Sequence, residues 1–275
     1  MIFGICTNMN ARSAADIGID QASYAQKIGL DYIELAADRM MKYDDARFEN
    51  FKKEAAESPL PCLACNSLVD PSIKLAGREY NRGTFENYIT TAMFRIASIG
   101  AKKVVFGSAK ARSIPSYLSA EEGKAHIIER IKFIAEAAAQ HGIEVEIEHL
   151  NRTECNCITT FEESVSIAKQ LNLPNLKSIF DYYHFAVGGE NEALIRQNEA
   201  WIGHIHFAYT MERRMPDLDE AKKLEPVLNI LRDCSYNGSF SLEAYFPNYE
   251  MDNMYYTTPI AYMRDILNGG GSYDK

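Results

Sequence analysis

The sequence predicts a closed (β/α)8 barrel, and three observations lead there. Short apolar strings rich in β-branched residues alternate with amphipathic segments from one end of the 275-residue chain to the other. Eight such units can be counted, at intervals of roughly 30 residues, which leaves room for the crossover helix that parallel pairing requires. The residues richest in chemistry stand where the later strings give way to loops, as at the mouth of a parallel barrel. The length suits one such barrel, read as one domain over 1–275.

In chain order, strands are expected at IFGICT (2–7), YIELA (32–36), CLACNSL (62–68), KVVFGS (103–108), EVEIEHL (144–150), LKSIFDYYH (176–184), IGHIHFA (202–208) and FSLEAYF (240–246). Helical patterns lie between them, among others at 84–100, 120–141 and 160–171. Thr160 followed by Glu163 reads as a capping box, and Gly100 and Gly142 as helix stops. Low-complexity tracts, proline- or serine-rich linkers and heptad runs are absent from the sequence, and GGGSYDK (269–275) reads as a frayed tail.

The chain has 29 basic and 38 acidic residues, a formal charge of −9, which repels phosphodiester backbones and argues against a nucleic-acid partner. Six cysteines, Cys6, Cys62, Cys65, Cys155, Cys157 and Cys234, sit in a chain that starts without a basic region and an apolar signal core. A reducing cytoplasm is expected. No apolar stretch approaches the roughly 20 residues that span a bilayer, so no membrane partner is expected.

Four strings carry candidate metal ligands: Glu148 in EHLNRTE, Asp181 in DYYH, His206 in HIHF and Glu243 in SLEAY. Strand alternation puts Glu144, Glu146 and Glu148 on one face, with Lys177, Ile179 and Asp181, His204 and His206, and Ser241 and Glu243 on the matching faces of the next three strands. Val145 and Ile147 then point at the helices. Any one of these residues alone reads as an isolated polar group at a loop. Three buried carboxylates converging on one point are costly without a cation, so together they predict an ion, either catalytic or purely structural. Three carboxylates and an imidazole favour manganese or magnesium, whereas structural zinc more often recruits thiolates. Deeper in the barrel, Glu144 and Glu146 either form an internal network with Lys177 and His204 or stay wet below the core.

These strings resemble the xylose-isomerase-like barrel superfamily, specifically its sugar isomerase/epimerase group with the tagatose and psicose 3-epimerases. The group's Glu-Pro-Leu-Asn-Arg-x-Glu is similar to EHLNRTE, with His149 in place of proline; its Asp-x-x-His to Asp181 and His184; its His-x-His to His204 and His206; and its Arg-Arg-x-Pro to Arg213 through Pro216. The resemblance implies a TIM barrel whose divalent ion is held by Glu148, Asp181, His206 and Glu243, manganese foremost, with magnesium or cobalt as alternatives and zinc ranked below. It implies that Glu154, His184 and Arg213 contact the substrate, and that the enzyme is a homodimer or homotetramer. Glu148 and Glu243 become the acid/base pair that passes a proton through a metal-stabilised enediolate. The loop from His206 to Arg213 is one residue longer than in the group, and NMNARSAADIG lacks its aromatic wall.

Lys110 and Arg112, after the fourth strand, either bind a phosphate or carboxylate on the sugar or belong to a solvated loop. Cys62 and Cys65 are read as strand residues on opposite faces, not a thiolate site. Trp201, Tyr255, Tyr256 and Tyr262 read as packing or an oligomer surface, and His126 and His141 as helix residues away from the mouth. The function expected is a divalent-metal ketose epimerase or isomerase. The alternatives are a dehydratase on the same barrel and a non-catalytic sugar-binding barrel; a phosphodiesterase would need further histidines and a basic face.

Overall fold

Every expected strand is present, and each pairs in parallel with the next: β1 (Ile2–Cys6), β2 (Tyr32–Ala36), β3 (Cys62–Asn66), β4 (Lys103–Phe106), β5 (Glu144–Ile147), β6 (Leu176–Asp181), β7 (Ile202–Phe207) and β8 (Ser239–Leu242). In this computed structural model, which describes residues 1–13, 16–234, 236–246 and 254–270, β8 returns to pair with β1 and closes a (β/α)8 barrel. Of the tail expected at 269–275, residues 271–275 lie outside the described residues.

The strands stop earlier at the mouth than the apolar strings suggest. Ser67 and Ser108, just past β3 and β4, take left-handed φ values of 48° and 43°, which break the extended chain. Asp181 ends β6 by capping the helix Tyr182–Gly188: its Oδ1 accepts the His184 amide at 2.9 Å. The expected helices appear at Arg82–Ser98, Ala120–Ala139 and Phe161–Leu171, and Gly100 and Gly142 stop the first two at φ 88° and 66°. The capping box expected at Thr160 is only half made. Thr160 accepts the Glu163 amide at 3.1 Å, but the Glu163 carboxylate turns to the Thr159 amide and Lys124. Complete boxes form instead at Ser119/Glu122 and Asp217/Glu220.

The apolar core lies between strands and helices. Phe106, Ile147, Phe180, Ile205, Phe207, Phe240 and Leu242 point outward into it and are fully buried. Burial of each such side chain contributes about 1.5–3 kcal/mol, so this layer supplies the stability that lets the barrel interior be polar. The interior holds buried Glu34, Glu146, Asp181, His204, His206, Ser239 and Ser241. Among the described residues no helix is long and apolar enough to cross a membrane.

Candidate metal centre

Two neighbouring strands and the ends of the strands flanking them bring the expected ligands together. Asp181 and His206 are register partners on β6 and β7, Glu148 directly follows β5, and Glu243 directly follows β8. One potential ligand atom from each of the four lies within 4.8 Å of the others, and all four residues are buried. His206 Nδ1 sits 3.3 Å from Glu148 Oε1, 3.3 Å from Glu243 Oε2 and 3.8 Å from Asp181 Oδ2. Because Asp181 Oδ1 is engaged by the helix it caps, Oδ2 is the oxygen left for an ion. Gly107, after β4, leaves the room that Glu148 occupies: a Cβ there would overlap its carboxylate.

The donor set fits a hard divalent cation: three carboxylate oxygens and one imidazole nitrogen in a buried cluster. In the protein alone, burial pushes the Glu148 and Asp181 carboxyls up, the mark of negative charge waiting for a counter-charge. Burial also acts on Glu243, yet Arg213, in close contact with it, and His206 hold it down to about 2.

Sequence reasoning missed the residue beneath this cluster. Glu34 of β2 is fully buried and spreads one carboxylate over three donors: His206 Nε2 at 3.0 Å on one oxygen, His204 Nε2 at 3.0 Å and Ser241 Oγ at 2.6 Å on the other. Against the burial cost, the two histidines hold Glu34 well below its ordinary range. A carboxylate on the far nitrogen is what orients a metal-binding histidine, since it leaves Nδ1 free to face the cation. The available signal was a lone charge in the apolar string YIELA, on the face it shares with Tyr32 and Ala36. Cys6 Sγ lies 3.7 Å from the same Nε2, and burial keeps its thiol protonated.

The mouth gathers most of the expected substrate contacts. A cavity of about 280 Å³ is lined by Glu148, Glu243, Glu154 and Arg213 on one side and by Asn8, Asp38, Ser67 and Lys110 on the other. His184 Nδ1 accepts from the Asn151 amide at 3.2 Å and from Asn151 Nδ2 at 3.0 Å, so in the neutral ring the proton sits on Nε2. Burial and the neighbouring Arg213 hold that ring neutral, its pKa lowered to about 2. Nε2 then lies 3.5 Å from Arg213 Nη2, two donors side by side. Glu154 reaches the same group, 3.7 Å from Arg213 Nη1 and accepting from Asn151 Nδ2 at 3.1 Å. Arg213 stacks over Tyr183 at 4.7 Å and is aimed by a turn in which Glu212 and Arg213 both take positive φ, 60° and 49°.

Two expectations are corrected. Arg112 does not face the mouth: it is fully buried, and its guanidinium donates to the carbonyls of Phe106, Glu148 and Ile158 at 3.1, 2.7 and 3.3 Å. Only Lys110 of that pair lines the cavity. Deeper in the barrel the internal network exists, but Lys103 is its cation. Lys103 contacts Glu144 closely, Glu146 at 3.2 Å and the Gly203 carbonyl at 2.9 Å, while His204 turns to Glu34 and to Ser239 at 2.6 Å. Lys177, the register partner of Glu146, lines a groove at the base of the barrel.

The model of the family described as xylose isomerase-like TIM barrel matches residues 22–266. D-psicose 3-epimerase from Agrobacterium fabrum is 27% identical over 236 residues, 80% of this chain and 76% of its own. Inosose isomerase from Halalkalibacterium halodurans is 22% identical over 243 residues, 84% of each chain. A crystal structure of D-psicose 3-epimerase in the presence of D-fructose superposes with a TM-score of 0.81 at 20% identity, covering 98% of this chain and all of the other. With a closed eight-stranded barrel and a match over nearly its whole length, the chain belongs to the xylose isomerase-like TIM barrel family.

Proposed function

We propose that the chain is a divalent-metal-dependent sugar isomerase or epimerase, closest in chemistry to a ketose 3-epimerase, with Glu148 and Glu243 as its acid/base pair. The observation that carries this reading is the convergence of these carboxylates from β5 and β8 on one imidazole nitrogen, 3.3 Å from each, at the floor of the mouth cavity. The curated relatives support the enzyme class. When bound, the divalent ion, manganese before magnesium or cobalt, supplies Lewis-acid stabilisation for charge developing on the substrate oxygens. Glu148 and Glu243 exchange a proton with the carbon beside the carbonyl, one removing it and the other returning one. His184 Nε2 and Arg213 donate side by side to a substrate oxygen, and Glu154 accepts from a hydroxyl.

The far wall of the cavity favours an uncharged sugar. With Arg112 turned inward, Lys110 is the remaining cation of the expected anion-binding pair, and Asp38 lines the same wall. A phosphate there would meet one lysine and a carboxylate rather than a guanidinium fork. A homodimer or homotetramer is proposed on the resemblance alone, and light scattering tests it. A reducing cytoplasm accords with six free cysteines, all buried.

The test is incubation of the metal-loaded protein in deuterated water with free ketoses, phosphorylated ketoses and sugar acids, followed by NMR. The expected result is deuterium at one carbon of a free ketose with its epimer or isomer appearing, both abolished in Glu148→Gln and in Glu243→Gln. Formation of a dehydrated product would instead point to a lyase, and absence of exchange with every compound despite full metal occupancy would overturn the acid/base assignment.

A further inference from the structure

We propose that Arg112 is a positioning residue: a buried guanidinium clamp that fixes the main chain of the loop carrying Glu148 and Glu154. Its donors go where strand pairing has run out. Past Phe106 and Ile147 the regular ladder between β4 and β5 ends, yet Glu148 remains pinned at both of its backbone groups. The Glu148 amide donates to the Phe106 carbonyl at 3.2 Å, and Arg112 Nη1 bridges that same carbonyl, at 3.1 Å, to the Glu148 carbonyl, at 2.7 Å. The other nitrogen closes the far end of the loop. Nη2 donates at 3.3 Å to the Ile158 carbonyl, which also receives the Leu150 amide at 3.1 Å, and Ile158 itself sits at a positive φ of 57°.

The loop between these pins presents Glu148 and Glu154 to the mouth and carries the buried Asn151, which sets the His184 tautomer. Arg112 is fully exchanged out of water, and among the described residues no carboxylate oxygen lies within 4.0 Å of its guanidinium. A cation so placed costs more than a neutral side chain of the same shape would, so stability alone does not account for it. Directed donors to three carbonyls on three segments do account for it, because a fork of fixed geometry locates those segments relative to one another. Arg112 thus acts on Glu148 through the backbone while Gly107, on the same turn, leaves the carboxylate its room.

Arg95 provides the control. It is a second buried guanidinium on backbone carbonyls, those of Met40 and Tyr43 at 3.0 and 2.8 Å, without contact to the metal cluster. The experiment compares wild type, Arg112→Met, Arg112→Lys and Arg95→Met by amide hydrogen exchange without metal and by Co2+ titration followed in the visible spectrum. In Arg112→Met, exchange of the Glu148 and Leu150 amides should accelerate by at least about 10-fold, and Co2+ affinity should fall by about 10–100-fold with an altered spectrum. Arg112→Lys, which keeps the charge but not the fork, should fall between, and Arg95→Met should move neither readout. A folded Arg112→Met with wild-type exchange at Leu150 and a wild-type Co2+ spectrum overturns the clamp. If Arg112→Met does not fold, unchanged exchange in Arg112→Lys does so. The second readout rests on the metal reading above: a wild type that takes up no Co2+ would refute that reading, while hydrogen exchange still decides the clamp.

Discussion

One carboxylate, Glu34, carries two histidines and a serine, and the chemistry of the site depends on how it divides them. Its contact with His206 Nε2 settles which ring nitrogen faces the mouth, so a loss there should be felt as lost affinity and not as unfolding. Glu34→Gln is expected to weaken Mn2+ binding by about 10–100-fold, measured by isothermal titration, because an amide cannot accept from both rings and from Ser241 at once. Wild-type affinity in that variant would show that the cluster orients His206 without it. His149 has the opposite character. It is fully buried among Phe161 and His184, and is kept neutral by burial and by Arg112, its pKa lowered to about 3. It packs as an aromatic ring against Phe161 and His184.

Strand ends and the turns that follow them do the positioning. Ser67 and Ser108 end β3 and β4 in left-handed conformations, and the Ser108 hydroxyl accepts the Val69 amide at 3.0 Å, tying the two turns together beside the cavity. Between β4 and Ser108, Gly107 is the point of closest approach to Glu148. Gly107→Ala is therefore expected to displace that carboxylate, reducing metal affinity by at least about 10-fold, for a loss of stability of about 1–3 kcal/mol from the overpacking. Metal titration together with thermal unfolding checks both halves, and unaltered affinity would mean that the turn yields instead of the glutamate. The turn after β7 works similarly. Tyr209 donates its amide to Arg214, and Tyr245, beyond β8, donates its amide to Arg213, so backbone pairing between two loops holds Arg213 over Glu243.

The molecule as a whole separates an apolar layer outside the strands from a polar column inside them, and the column makes stability depend on pH and on metal. Glu146 is buried beside Lys103 with one oxygen lacking a partner, and burial raises its pKa from the ordinary 4.5 to about 8. The folded protein thus keeps a proton that the unfolded chain has lost, a contribution fully present below about pH 4.5 and lost as pH rises through about 8. In metal-free protein, the melting temperature of Glu146→Gln relative to wild type should climb across that window and level off above it; a constant difference from pH 5 to 9 would refute the shift. Removing the ion with EDTA should lower the melting temperature by about 5 °C relative to protein at 100 times its Kd of Mn2+, since that occupancy adds about 2.7 kcal/mol. Much of this architecture was legible in advance because a parallel strand has a period of two and a barrel has one mouth: the strings alone placed Glu148, Asp181, His206 and Glu243 on adjacent strands with their side chains inward. The strand ends were overdrawn, since an apolar string does not show where left-handed serines or a capping aspartate stop the ladder. Lys103 was passed over for Lys177 because alternation says which face a residue takes but not how far an ammonium reaches. What the sequence by itself determined is the barrel, its eight strands and the candidate ligand set, all of which follow from local periodicity and strand order. What only the tertiary structure decided is the support beneath and behind that set, Glu34 from across the barrel and Arg112 from behind β5, because closing a sheet brings together residues that neither period nor spacing relates.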